Sequence, residues 1–141
     1  MLFIRKYRPS DFDDALNFDG KPSKRREQKL RLVESSEAFF CLVAEDEKFE
    51  GFIIMEDLGD GKSFYMVQIN VAGKRKGVGR KLVIRAFEHI GPGGHVSLCV
   101  NTDNKEAILF YEALGFKVSG FTAGYRKNQD KIWYQIDSRD L

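Results

Sequence analysis

The chain has 141 residues, a formal net charge of +2, and 43% apolar and 31% charged side chains. That is the composition of one ordinary globular domain, residues 1–141, long enough for a proper core. Membrane spans are excluded, because nothing approaches the roughly 18 consecutive apolar residues needed, and the charge is too small to imply a nucleic-acid partner.

Leu2 to Tyr7 alternates apolar and polar residues, as an edge or half-buried strand does. Pro9-Ser10-Asp11-Phe12-Asp13 reads as a helix start capped by Ser10, with Phe12, Ala15 and Leu16 on its apolar side. After a break at Asn17 to Pro22, Ser23 to Ser36 is a charge-rich helix with Leu30 and Val33 as its apolar stripe. Ala38 to Glu45 and Phe49 to Asp57 are strands joined at Asp46-Glu47-Lys48, hence an antiparallel hairpin. Leu58 to Lys62 turns the chain into a third strand, Phe64 to Asn70. Val78, Leu82, Val83, Ala86, Phe87 and Ile90 carry a helical pattern, and Gly91-Pro92-Gly93-Gly94 leads into the strand His95 to Asn101. Asp103 to Leu114 is a helix capped by Thr102 or Asp103 and stopped by Gly115. Phe116 to Phe121 and Lys131 to Asp137 are the last strands, joined by a long polar turn around Gly124 to Asp130.

The order is β-α-α-β-β-β-α-β-α-β-β: α/β class, with a mixed, twisted central sheet of about seven strands and four helices. The strand over 63–71 and that over 95–101 are linked through a helix, so they should run parallel. A ligand belongs at their carboxyl ends. Cys41 and Cys99 fall inside apolar strand-like runs and read as free thiols of a reducing compartment. With no signal-peptide apolar region at the N-terminus, the expected location is the cytoplasm.

Between the third strand and its helix lies Val71-Ala72-Gly73-Lys74-Arg75-Lys76-Gly77-Val78-Gly79-Arg80-Lys81-Leu82. Unpaired N–H groups and the positive dipole end at a helix start attract anions, and glycines admit a ligand close to the backbone. Spacing excludes the Walker loop, since Val78 stands where its second glycine belongs. It also excludes the dinucleotide fingerprint, since Leu82 stands at the third glycine. A nucleic-acid reading of Lys74 to Lys81 lacks aromatic residues interleaved with the cations.

A second stretch gives the loop its meaning. Asn104, Ala107, Tyr111 and Gly115-Phe116 sit at set spacings in a strand-turn-helix run. Together the two stretches resemble the GNAT (GCN5-related N-acetyltransferase) superfamily over residues 67 to 118. Lys74-Arg75-Lys76-Gly77-Val78-Gly79 is similar to its pyrophosphate loop, with Lys74 where the family prefers Gln or Arg. Asn104-x-x-Ala-x-x-Phe-Tyr-x-x-x-Gly-Phe is similar to its second motif.

The resemblance implies an acetyl-CoA-dependent N-acetyltransferase acting on a primary amine by direct attack in a ternary complex. A non-catalytic acyl-CoA-binding module is the alternative. Acetyl-CoA is implied as co-substrate, with no metal, no nucleic acid and no membrane, in a monomer or homodimer. Its pyrophosphate would meet Lys74, Arg75, Lys76, Gly77, Val78, Gly79 and Arg80. Ile69 and Val71 would offer backbone groups at a splayed strand end, and Asn104 would bond the pantetheine arm. Tyr111 is the implied acid for the leaving thiolate. The first two helices would wall the acceptor side. The family's carboxylate base is missing: Cys99 and Tyr65 stand at its two known positions. Glu56, Asp57, Tyr65 or a water held by Gln68 are left as candidates. His89 and His95 read as structural.

Overall fold

The computed structural model describes residues 1–73, 77–126 and 128–141. Seven strands form one sheet: β1 (Phe3–Lys6), β2 (Phe39–Asp46), β3 (Lys48–Asp57), β4 (Ser63–Val71), β5 (His95–Asn101), β6 (Lys117–Arg126) and β7 (Gln129–Asp137). Four helices accompany them: α1 (Phe12–Leu16), α2 (Lys24–Ser35), α3 (Val78–Ile90) and α4 (Lys105–Ala113). Element order is the one read from the sequence. The sheet runs β1-β2-β3-β4-β5-β7-β6, antiparallel at every step except the parallel β4–β5 pair.

Helices cover both faces of the sheet, which is why β3 reads as a continuous apolar run: Phe52, Ile53, Ile54 and Met55 are all fully buried. Ile53 and Met55 join Val78, Leu82, Val83, Ala86 and Phe87 of α3 in the larger core. Phe52 and Ile54 face the other way, toward Ala15 of α1 and Leu30 of α2. Among the described residues no helix is long and apolar enough to cross a membrane.

Two features of β4 position the site. Ile54 pairs with Gln68 but Met55 with Met66, so Val67 is an extra residue, a β-bulge. The bulge exchanges the faces of the strand. Met66 lies in the α3-side core, Val67 packs in the α2-side cluster, and Ile69 and Val71 return to the α3 side. An unbulged strand would drive Gln68 and Asn70 into the α3-side core instead. The second feature is that β4 and β5 pair at only three positions, Ser63–His95, Phe64–Val96 and Tyr65–Ser97. Beyond Tyr65 they part.

Three boundaries differ from the sequence reading. β6 and β7 reach Arg126 and Gln129, which pair, so the long polar turn is a tight one with Asn128 at φ 61°. Most of β6 is exposed, so polarity there marks solvent, not a loop. Asn104, rather than Thr102 or Asp103, caps α4: its Oδ1 accepts from the Ala107 N–H at 3.2 Å. The first helix is preceded by a 3-10 turn over Pro9–Asp11, and Asp11, not Ser10, organises it. Asp11 accepts from the Arg8 N–H at 2.7 Å and takes both arms of the Arg5 guanidinium at 2.8 Å. This two-pronged pair ties β1 to α1.

Burial acts to raise the Asp11 pKa, but Arg5 and the Arg8 N–H overcome it and hold the carboxyl below its ordinary 3.8. A depressed folded pKa contributes stability above the unfolded value and loses it as pH falls through the folded one. Asp11→Asn should therefore cost about 2 kcal/mol at pH 7, since Arg5 keeps Glu45 as a second partner. The difference from wild type should shrink below about pH 3.8. Thermal melts of both proteins from pH 7 to pH 3 check this; a pH-independent gap would mean that the Asp11 charge is not what stabilises.

Candidate active site

Where β4 and β5 part, backbone N–H and C=O groups on the facing edges lose their ladder partners. A cleft of about 640 Å³ opens beside this gap on the α3–α4 side. Ile69 and Val71 line it from β4, Gly73, Gly77, Val78, Gly79 and Arg80 from the loop and first turn of α3, and Asn104, Ala107, Phe110 and Tyr111 from α4. So the structure gathers Ile69, Val71, Gly77, Val78, Gly79, Arg80, Asn104 and Tyr111 around one space. Lys74, Arg75 and Lys76 lie outside the described residues.

The glycines of this stretch differ in their reasons. Gly77 is the N-cap of α3 at φ 64°, a left-handed conformation that a side chain would strain. Gly79 is buried, and a Cβ there would meet Phe110 Cζ at 3.1 Å. Its bareness serves the packing of α3 on α4 as much as any ligand. Arg80 is exposed and Gly77 is open to solvent, so the first turn of α3 presents its N–H groups and one guanidinium to the cleft.

Asn104 uses its carbonyl as the α4 cap, which leaves its amide NH2 as a donor at the cleft wall. The Tyr111 ring is held edge-on by Phe110 at 5.3 Å and by Phe116 at 5.6 Å. It is 8% exposed, and among the described residues nothing hydrogen-bonds its hydroxyl. Burial, reinforced by the nearby Cys99 thiol, pushes the hydroxyl up to about 12. The hydroxyl is therefore protonated at any physiological pH.

On the far side of the gap, toward α2, alternate residues of β5 and β7 form a second wall. Cys99 lies opposite Trp133 and Asn101 opposite Lys131. The Tyr65 hydroxyl and the Cys99 thiol are hydrogen-bonded at 3.2 Å, and the Tyr65 and Trp133 rings are 6.3 Å apart. Burial, then the Cys99 bond, raises the Tyr65 pKa well above its usual value. That keeps the Tyr65 hydroxyl protonated at neutral pH. Asp57 is also committed: its Oδ1 accepts from Gly59 and Gly61 N–H groups in the turn. Glu56 remains, on the strand position paired with Tyr65. Gln68 donates to Asn70 at 2.6 Å on this face. His89 stacks on Phe40 at 4.3 Å and His95 is exposed at the start of β5.

Sequence reasoning missed Lys29, Asn101, Lys131 and Trp133 on this wall. For Asn101, Lys131 and Trp133 the signal is period-two alternation in β5 and β7, which has no meaning until the register sets which strand faces which; Lys29 lies on α2 and carries no such signal. Among the described residues no group of three or more His, Cys, Asp or Glu side chains is placed to hold a metal ion.

The family model for an acetyltransferase (GNAT) domain matches residues 36–118. That stretch holds the hairpin, the parting strands, the glycine loop and α4. The chain belongs to the GNAT acetyltransferase family. It is thereby an acyltransferase of the N-acetyltransferase class. A 5-NmdU N-acetyltransferase of Pseudomonas phage PaMx11 is 31% identical over 132 residues, covering 88% of this chain and 93% of that protein. Solved structures of acetyltransferases share the fold. The ribosomal-protein-S18-alanine N-acetyltransferase of Escherichia coli superposes with a TM-score of 0.81 at 21% identity, covering 97% of this chain and 94% of that one. A Bacillus anthracis str. Ames protein solved in complex with acetyl coenzyme A gives 0.82 at 19%, covering 97% and 98%.

Within this GNAT fold the Gly79–Phe110 contact is testable on its own. Gly79→Ala should destabilise by about 1–2 kcal/mol through overpacking. Phe110→Leu in the same chain should give a double mutant less destabilised than the sum of the two changes. Additive denaturant midpoints would place the cost of Gly79→Ala elsewhere than on the Phe110 ring.

Proposed function

We propose that the chain transfers the acetyl group of acetyl-CoA to a primary amine, by direct attack of the amine within a ternary complex. The observation that carries this reading is the parting of β4 and β5. It joins a glycine-lined helix start at one end to the Tyr111 hydroxyl at the other, with unpaired backbone groups between. An extended, amide-bearing arm fits such a strand edge, and a pyrophosphate fits the first turn of α3. Gly77, Val78 and Gly79 would supply N–H groups, Arg80 a countercharge, with Lys74, Arg75 and Lys76 flanking. The amide NH2 of Asn104 would donate to the arm.

The chemistry needs a polarised carbonyl, a neutral amine and a donor for the departing sulfur. Backbone groups at Ile69 and Val71 serve the first need. Attack forms the C–N bond and breaks the C–S bond. Tyr111 donates its proton to the sulfur, and the nitrogen gives up its extra proton to solvent. The raised pKa of Tyr111 looks unhelpful for an acid. Yet a thiolate expelled into the same dry cleft is raised by the same desolvation, so donor and acceptor move together. No carboxylate of the family's two base positions is present, and we assign proton removal to water along the Gln68 and Asn70 face, with Glu56 within the same wall. The relative's named acceptor, 5-NmdU, adds nucleoside amines to the acceptors worth trying.

Arg80→Ala should weaken acetyl-CoA by about tenfold at low salt, and by less at high salt, because an exposed charge pair is screened. Calorimetry reads it directly. Equal affinity at both salts would take Arg80 out of the site.

Tyr111→Phe should leave acetyl-CoA affinity and the melting temperature nearly unchanged, since no hydrogen-bond partner is orphaned. The single-turnover rate should fall by about 10²-fold or more. The wild-type rate should rise with pH as the amine deprotonates, with no descending limb up to about pH 10, given an acid raised to about 12. A wild-type chemical step in Tyr111→Phe refutes the acid role.

A further inference from the structure

The wall on the α2 side of the gap combines two kinds of side chain. Trp133 is half-buried, donates its indole N–H to Thr122 at 3.0 Å and leaves a ring beside Tyr65. Lys131 Nζ sits 5.4 Å from the Tyr125 ring, which is 47% exposed. Lys29 projects from α2, half-buried, within electrostatic reach of Cys99 and Lys131. Neither ammonium forms an ion pair among the described residues, and the neighbouring Asp130 is engaged by the Gly124 N–H at 2.8 Å. Asn101, opposite Lys131 on β5, has a buried Oδ1 with no hydrogen-bond partner among the described residues. So the wall offers rings for stacking, cations without counterions and one unanswered acceptor.

We propose that the acceptor amine is carried on a nucleobase, with Lys29 and Lys131 holding the phosphate of its nucleotide or strand. The inference rests on the N-acetyltransferase reading above. Stacking on aromatic faces together with cations that track phosphates is how proteins hold unpaired bases. Cations and rings are not interleaved along residues 74–81, but the fold brings them together here from α2, β6 and β7. Tyr125 and Trp133 take the faces of the base. Asn101 Oδ1 accepts an N–H from its edge or from the substituent amine, and the amine reaches the gap between β4 and β5. A base inside a duplex cannot reach this wall without leaving its stack. Single-stranded or mononucleotide acceptors should therefore be preferred.

The test compares four acceptors with acetyl-CoA and the full chain: an aminomethyl-pyrimidine nucleoside, its 5′-monophosphate, a single-stranded oligonucleotide carrying the same base, and an aliphatic diamine. The expected result is a kcat/KM at least about tenfold higher for a phosphate-bearing acceptor than for the nucleoside, falling with salt, and lowest for the diamine. A monophosphate equal to the oligonucleotide assigns the nucleotide as acceptor; a better oligonucleotide assigns the strand. Lys29→Gln with Lys131→Gln should collapse the ratio between phosphate-bearing and phosphate-free acceptors toward one, with thermal melts verifying the fold. Transfer to the diamine as good as to the nucleotides overturns the inference and leaves the N-acetyltransferase reading standing. Acetyl-CoA binding without transfer to any base-borne amine also overturns it. Failure to bind acetyl-CoA at all overturns both.

Discussion

Everything at this site depends on two strands that stop pairing. Parallel neighbours normally continue their ladder to a common end, because unpaired backbone groups in a sheet interior are costly. Here β4 and β5 pair through Tyr65 and Ser97 and then separate, with the Val67 bulge two residues further on. The bulge bends and twists β4 and returns Ile69 and Val71 to the α3 side. A gap of this kind lets one ligand lie in the α3–α4 cleft and another approach from the α2 side, with reacting atoms meeting between them. Each wall is then specialised. The cleft wall is helix start, glycine and apolar residues; the opposite wall is hydroxyl, thiol, amide, aromatic ring and ammonium.

The fold was largely legible in the sequence because its signals are local. The apolar run of β3, the alternation of β5, the stripe of α3 and the Gly115 stop each name their element without reference to the rest. So does the crossover that makes β4 and β5 parallel. Errors came where a side chain's partner is remote or its polarity misleads. In the sequence Asp11 is one acid among several at a helix start; the Arg5 that holds it lies on another element, β1. The polar tip of β6 and β7 looked like a loop because both faces are solvated there. Nothing in residues 63–71 announces that Val67 is the extra one, since a bulge is a relation between two strands.

The candidate site divides the same way. Gly77, Gly79, Arg80, Asn104 and Tyr111 sit within two short motifs, and the structure gathers them around the cleft. Even so, two of them proved to have second duties, Gly79 in packing against Phe110 and Asn104 in capping α4. The α2-side wall was invisible, because Lys29, Asn101, Lys131 and Trp133 come from three elements spread across the chain. Register decides that Cys99 meets Trp133 and Asn101 meets Lys131, and register is not written in any one segment.

That wall also bears on the missing base. A carboxylate beside an acceptor amine has opposed effects: it can take the proton, but its charge also stabilises the ammonium and raises the amine's pKa. Lys29 and Lys131 do the reverse. Burial, followed by the charge of Arg25, lowers the pKa of Lys29 itself. An acceptor amine brought into the same surroundings feels the same desolvation and cationic neighbours, and its neutral form is favoured before any base acts. Phosphate held by the two lysines would offset part of that field, so the distance between phosphate and amine matters. A base-borne amine keeps the two apart by the breadth of a nucleoside, with the phosphate at the lysines and the nitrogen at the gap. On this reading Cys99 and Tyr65 are compatible with catalysis, because the wall around them lowers the need for a carboxylate.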